Sequence, residues 1–249
     1  MELKEKEFFE YIKCPLRYQL IKKGHVLEEQ KTFNQICYEA INSNINARVN
    51  GMKSDFSTFK RKWDSLAKEN EFLGAKKILD GWGYVYRTYE YIEMFNIKFL
   101  DCNTSYKIEI PGTQVCLTGV LNPIIDKGTH IEVFVPHFNR SLPERIDIDT
   151  KLKHTIDAYA IKQMFKKDAV FTYYSPATGK TIETIRGTRD FKKLESMLTM
   201  VSKAIKSNII YPRETFMCSS CIAREYVNHG QDKRRCNIWL RKVFTYQKK

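Results

Sequence analysis

Cys14 lies near the start of the chain, in Tyr11-Ile-Lys-Cys-Pro-Leu-Arg-Tyr18, while Cys218-x-x-Cys221 and Cys236 lie near its end. Thiols from opposite ends of a chain are readily explained by a soft metal or cluster that gathers them in one place. The pattern is that of a chain closed on itself by an iron–sulfur cluster or by zinc. A metal held this way contributes folding free energy, so loss of the thiols is expected to unfold both ends. His229 falls between Cys221 and Cys236 and offers a replacement for Cys236 in a zinc-type site. Cys37, Cys102 and Cys116 sit within apolar patterns and read as core thiols.

The 249 residues are 43% hydrophobic and 13% aromatic, which excludes a disordered basic tail. Lys and Arg total 42 against 29 Asp and Glu, a formal charge of +13 that favours an anionic partner, most simply nucleic acid. A lysine-rich solvated surface is the plain alternative. The first residues are charged and lack an apolar segment, so no signal peptide is expected. No run of about 18 apolar residues occurs, so no membrane partner is expected. The expected location is intracellular and cytoplasmic, in the host cytoplasm if the chain is viral. In that setting Cys-x-x-Cys reads as metal binding or redox before disulfide.

Hydrophobic periodicity predicts helices over 5–23, interrupted at Cys14-Pro15, and over 31–49. Residues 55–99 read as helical and aromatic-rich, with a break near Gly81-Trp82-Gly83. From about 105 the period changes to two, with strands over Tyr106–Ile110, Gln114–Ile125 and Thr129–Pro136. Ile146–Asp149 either extends this meander or leads into a helix over 150–166. Two strands, Ala169–Ser175 and Thr181–Arg186, flank a Pro176-Ala-Thr-Gly179 turn, and a last helix runs from about 188 to 207. Tyr211-Pro212 stops it before the cysteine segment. No phosphate-cradling Gly-rich loop and no Gly-x-Ser-x-Gly elbow appears, which disfavours nucleotide hydrolysis and esterase chemistry.

This order of elements resembles the RecB-like branch of the PD-(D/E)xK nucleases, and within it the iron–sulfur members such as the AddB nuclease domain and the CRISPR adaptation nucleases. The likeness covers nearly the whole chain. It is carried by the Cys14-Pro15 motif, by Leu117-Thr-Gly119-Val-Leu-Asn122 at the family's Gly-x-x-Asp strand, by Thr155-Ile-Asp-Ala-Tyr159 at its Gln-x-x-x-Tyr helix, and by Tyr211-Pro212 leading to Cys218. The resemblance implies an α/β fold with a PD-(D/E)xK (restriction-endonuclease-like) core, a mixed central sheet, a helical N-terminal insert and a C-terminal cysteine segment. One nuclease-like domain over 1–249 would then comprise a helical part (1–100), an α/β core (101–210) and a basic cysteine segment (211–249). It also implies a 4Fe-4S cluster on Cys14, Cys218, Cys221 and Cys236, with zinc as the alternative, since thiolate spacing alone does not separate the two metals.

Phosphodiester hydrolysis in such a family needs Mg²⁺ or Mn²⁺ held by carboxylates, with a lysine beside the attacking water. This sequence departs at those places. Tyr38 stands where a His is expected, Asn122 where the Asp is expected, Phe134 at the Lys place and Thr155 at the Gln place, while Glu132 remains. An amide and a phenyl ring supply neither the charge for a metal nor the donor for water. Asp149-Thr-Lys151 offers a relocated Asp-x-Lys, to act with Glu132. The plainer reading makes Asp149 or Thr150 a helix N-cap and Lys151 a surface residue.

Basic residues interleave with rings at Arg17-Tyr18, Arg61-Lys62-Trp63 and Arg87-Thr-Tyr89, and basic residues recur at Lys233-Arg234-Arg235 and Arg241. Such clusters hold phosphates while rings stack on unpaired bases, although each alone also suits a solvated face. Three functions remain in view. The first is a catalytically inactive nuclease-like protein (a pseudonuclease) that binds DNA in replication, recombination or phage-type DNA metabolism, with protein partners. The second is an active metal-dependent exonuclease or endonuclease using Glu132, Asp149 and Lys151. The third is a protein-interaction subunit whose charge is incidental.

Overall fold

The computed structural model describes residues 1–24, 31–52, 54–113 and 115–210. Cys218, Cys221, Cys236, His25, His229, Lys233, Arg234, Arg235, Arg241 and the Tyr211-Pro212 stop lie outside these residues. The chain forms two compact units, Met1–Glu29 with Glu109–Thr118 and Glu195–Lys249, and Gln30–Ile108 with Gly119–Leu194. Among the described residues no helix is long and apolar enough to cross a membrane.

In the first unit, strand β1 (Glu2–Lys4) pairs in parallel with β3 (Cys116–Val120), setting Leu3 opposite Leu117. This strand precedes the helix read from the sequence, and three residues are too few to show a period. The helical stretch is split into α1 (Glu5–Lys13) and α2 (Pro15–Lys22) at Cys14, whose backbone is extended. Pro15 causes the split, because proline disfavours the helical region for the residue before it and itself suits a helix start. Tyr11 donates to the Ile209 carbonyl at 2.8 Å and meets Tyr18 edge-on, tying residues far apart in sequence.

The second unit opens with three helices: α3 (Phe33–Val49), α4 (Phe56–Glu69) and α5 (Ala75–Met94). Thr32 and Gln35 form a capping box at the start of α3, and Asp55 accepts from Thr58 N at 2.9 Å to start α4. Ile36, Ala40, Ile41 and Ile45 from α3 meet Phe59, Trp63 and Leu66 from α4, and Val85 and Ile92 from α5, in one buried core. The helical break falls between Asn70 and Gly74, not at Gly81–Gly83. Gly81 lies inside α5 for a packing reason: a Cβ there would meet Trp63 Cη2 at 2.6 Å. The glycine lets the two helices approach and does not end the helix.

The chain then runs through β2 (Ser105–Glu109) and β3, which carry it between the units, to a four-stranded sheet. Its order is β4 (Ile124–Asp126), β5 (His130–Pro136), β6 (Asp168–Ser175) and β7 (Lys180–Ile185). The predicted strand over Gln114–Ile125 is two strands, β3 and β4, interrupted at Asn122-Pro123. Proline has no N–H for a ladder, and its carbonyl accepts from Phe134 N at 2.9 Å instead. Short α6 (Arg145–Asp149) takes the helical option for that segment, and α7 (Leu152–Phe165) crosses from β5 to the parallel β6. The last helix, α8 (Thr188–Lys206), runs on into the first unit. The result is an α/β chain with a mixed sheet and a helical N-terminal part.

The two glycines of α5 separate packing from propensity. Gly81→Ala is expected to destabilise the protein by about 1–3 kcal/mol, because the added methyl overpacks the buried Trp63. Gly83→Ala meets nothing within 4 Å and is expected to stabilise by up to about 1 kcal/mol. Urea unfolding of the two variants beside the parent checks both signs.

Candidate functional site

Side chains alternate across a sheet, and paired residues share a face. Glu132 and Phe134 on β5 therefore share one face with Val170, Thr172 and Tyr174 on β6, while Val133 shares the other with Phe171 and Thr184. The first face is closed by rings. Tyr91 of α5 stacks on Tyr174 with centroids 4.0 Å apart and lies parallel to Phe134 at 6.2 Å; Phe99 meets Phe134 edge-on. Phe134 is 1% exposed. Tyr38, from α3, meets Phe138 edge-on at 5.3 Å, and burial raises its phenol pKa, with Tyr173 adding to the effect. Glu132 is the acidic residue β5 places on this face, and Lys127 pairs with it at 3.0 Å.

Asp149 and Lys151 belong to the opposite face. Thr184 donates to Asp149 Oδ1 at 2.7 Å, and Arg145 pairs with Asp149 Oδ2 at 3.0 Å. The Thr184 hydrogen bond, aided by Arg145, holds the Asp149 carboxyl below its ordinary value. Lys151 Nζ donates to the Tyr173 hydroxyl at 3.1 Å. Glu132 thus stands on one side of the sheet, with Asp149 and Lys151 bonded to side chains on the other. Asp149 ends α6 and Lys151 takes the N-cap position of α7, so neither Asp149 nor Thr150 caps that helix. Thr150 instead donates back to the Ile146 carbonyl at 2.7 Å, closing α6.

A buried polar network crosses this second face. Arg186 donates to Thr155 Oγ1 at 3.1 Å, Thr184 Oγ1 at 2.7 Å and the Ile148 carbonyl at 2.5 Å, so Thr155 serves as an acceptor for a buried guanidinium. Lys153 pairs with the fully buried Asp157 at 2.6 Å. His154 Nε2 lies 2.5 Å from the Tyr173 hydroxyl, and its ring stacks on Phe171 at 4.4 Å. Burial, followed by Lys151, Arg186 and Lys153, pushes the His154 pKa down to about 3, and burial pushes Tyr173 up to about 12. Desolvation also lowers Lys151. No ligand spacing in the sequence singles out His154. Its position beside Lys151 and Lys153 at the head of α7 was the available signal.

The other named residues are placed as follows. Asn122 occupies the interruption between β3 and β4. Arg17 gives its Nε to the buried Glu10 at 2.7 Å, and Lys13 pairs with the same carboxylate at 2.9 Å. Arg87 donates to the Pro176 carbonyl at 3.1 Å. Cys37 and Cys102 are buried, with thiols pushed up by desolvation to about 12 and about 11, whereas Cys116 is half-buried. Cys14 stands between α1 and α2. Among the described residues no group of three His, Cys, Asp or Glu side chains is placed to hold a metal ion.

No family model and no curated protein matches the chain. Among solved structures, the crystal structure of a "Putative exonuclease" from Eubacterium rectale aligns with a TM-score of 0.52 at 11% identity, covering 88% of this chain and 86% of that one. The protein SSO0001 aligns with a TM-score of 0.36 at 14% identity, over 88% and 90% of the two chains. The likeness to the first is one of fold.

His154 supplies a pH-dependent test of the buried network. Its folded pKa of about 3 lies below its ordinary value of 6.5, so the unfolded chain binds the proton first as pH falls. The stability this histidine protects is complete above pH about 6.5 and declines from there toward pH about 3. Between pH 7 and pH 5 the parent is expected to lose about 2 kcal/mol through this group. His154→Phe should show a correspondingly shallower decline, read as the change in urea midpoint at the two pH values.

Proposed function

We propose that the chain is a nucleic-acid-binding protein built on a nuclease-like fold of the RecB-like PD-(D/E)xK type, catalytically inactive, and acting in DNA replication, recombination or phage-type DNA metabolism. The observation that carries this reading is the ring stack of Tyr91, Phe134 and Tyr174 on the face that bears Glu132. A metal site needs several hard oxygen ligands around one ion. Here Glu132 is paired with Lys127, its direct strand partners Ile125 and Val170 are apolar, and Phe134 follows it on the same face. The charge of +13 supports an anionic partner, and phosphate contacts would make binding steeply salt-dependent.

In this reading Cys14 would join Cys218, Cys221 and Cys236 in holding an iron–sulfur cluster, with zinc as the alternative. Of the four, Cys14 is the one among the described residues, so the donor set stands on the sequence. When bound, such a group would supply folding free energy. Arg17, Lys233, Arg234, Arg235 and Arg241 would contribute to nucleic-acid binding, with Arg17 positioned through Glu10. The second reading, an active nuclease with Mg²⁺ or Mn²⁺ at Glu132, Asp149 and Lys151, would require those groups to act together from opposite faces of the sheet.

An anaerobic gel assay separates the two readings, with end-labelled single-stranded and forked DNA, Mg²⁺ or Mn²⁺, and the purified chain. The expected result is a mobility shift without cleavage, for the parent and for Glu132→Ala alike. Metal-dependent products lost in Glu132→Ala would overturn the inactive reading.

A further inference from the structure

Helix α3 carries Gln35, Tyr38, Asn42 and Asn46 at spacings of three and four residues, a stripe apart from the Ile36, Ala40, Ile41 and Ile45 stripe that packs the core. With Lys62 of α4 and Asn103, these residues line an open cleft of about 450 Å³. That size lies within the range of roughly 300–1,000 Å³ typical of small-molecule pockets. Glu39 also lines the cleft, but Lys31 at 2.6 Å and Lys62 at 3.9 Å both face its carboxylate. The charges of Glu39 and Lys62 in the lining offset one another, and the lining is dominated by neutral amides.

Amides carry a donor and an acceptor without charge, which matches the edge of a nucleobase better than it matches a phosphate. Two of these amides have their oxygens engaged locally. Gln35 Oε1 accepts from Thr32 N at 2.7 Å, and Asn46 Oδ1 accepts from Asn50 Nδ2 at 3.1 Å. Asn42 differs: its Oδ1 is buried and meets no donor among the described residues. Asparagine is also a poor helix former, so its place in mid-helix is not explained by local propensity. Tyr38, held edge-on against Phe138, provides a ring wall beside that amide.

We infer that this cleft takes an unpaired nucleobase from a single-stranded nucleic acid, with the Asn42 amide reading the base edge and Lys62 facing the adjoining phosphate. The inference rests on the nucleic-acid reading above. Turning the Asn42 amide about its last torsion presents its oxygen to an exocyclic base amine, the donor that oxygen lacks. A base in a duplex stack could not enter such a cleft, so the occupant is an unpaired one. Adenine, which offers both an amine donor and a ring-nitrogen acceptor to an asparagine, is the best match.

The test is fluorescence anisotropy of the full chain with labelled oligonucleotides of equal length and charge that bear adenine, thymine or no base. The expected order is adenine tightest, with about tenfold weaker binding of the abasic strand. Ser43→Phe, which fills the cleft, and Asn42→Leu should each abolish the base preference and leave abasic binding unchanged. Equal affinity of the parent for all three strands, or a preference that survives both variants, overturns the cleft while nucleic-acid binding stands. Failure to bind any strand overturns the nucleic-acid reading, and the cleft with it. Circular dichroism checks each variant's fold, and either folded variant is sufficient for the comparison.

Discussion

The stack of Tyr91, Tyr174 and Phe134 holds the helical part of the second unit against its sheet. Each aromatic side chain buries roughly 150–250 Å², and a well-placed pair adds about 0.5–1.5 kcal/mol beyond that burial. The same rings determine what this face can do chemically. A metal site spends polar groups and solvent access, whereas a ring stack excludes both. Glu132 stands beside the rings with its charge offset by Lys127 at 3.0 Å.

The other face follows a different rule. Arg186, Thr155, Thr184 and Asp149 form a connected set, and Lys151, Tyr173 and His154 form a second. In a low-dielectric interior such networks specify one arrangement when satisfied and are costly when broken. Burial, followed by three nearby cations, holds His154 neutral. Asp149 and Lys151, the Asp-x-Lys of the sequence, each meet a named neighbour on this face.

Much of the architecture was legible in the sequence because its signals are local. The change of period near residue 105, the Cys14-Pro15 interruption and the apolar stripes of α3 and α4 all read directly into elements. What escaped depended on distant partners. Gly81 and Gly83 look like a helix break until Trp63 is placed beside them, and β1 is too short to show a period before β3 pairs with it. Phe134 was legible as a ring on a strand, but the rings around it come from Tyr91 and Phe99, some forty residues earlier on helix and loop. The face to which Asp149 points could not be read from its spacing, since it depends on the register of β7 against β6.

The sheet order also has a consequence for how the chain assembles. β4 with β5 and β6 with β7 are antiparallel neighbours joined by short turns, so each pair closes a small loop. The parallel β5–β6 seam is different, because its partners come together only after the intervening α6 and α7 have been brought around. Loop-closure entropy must be met before that seam rewards it. Two hairpins that form early and one seam that closes late make the middle of the sheet, rather than its edges, the last part to become native.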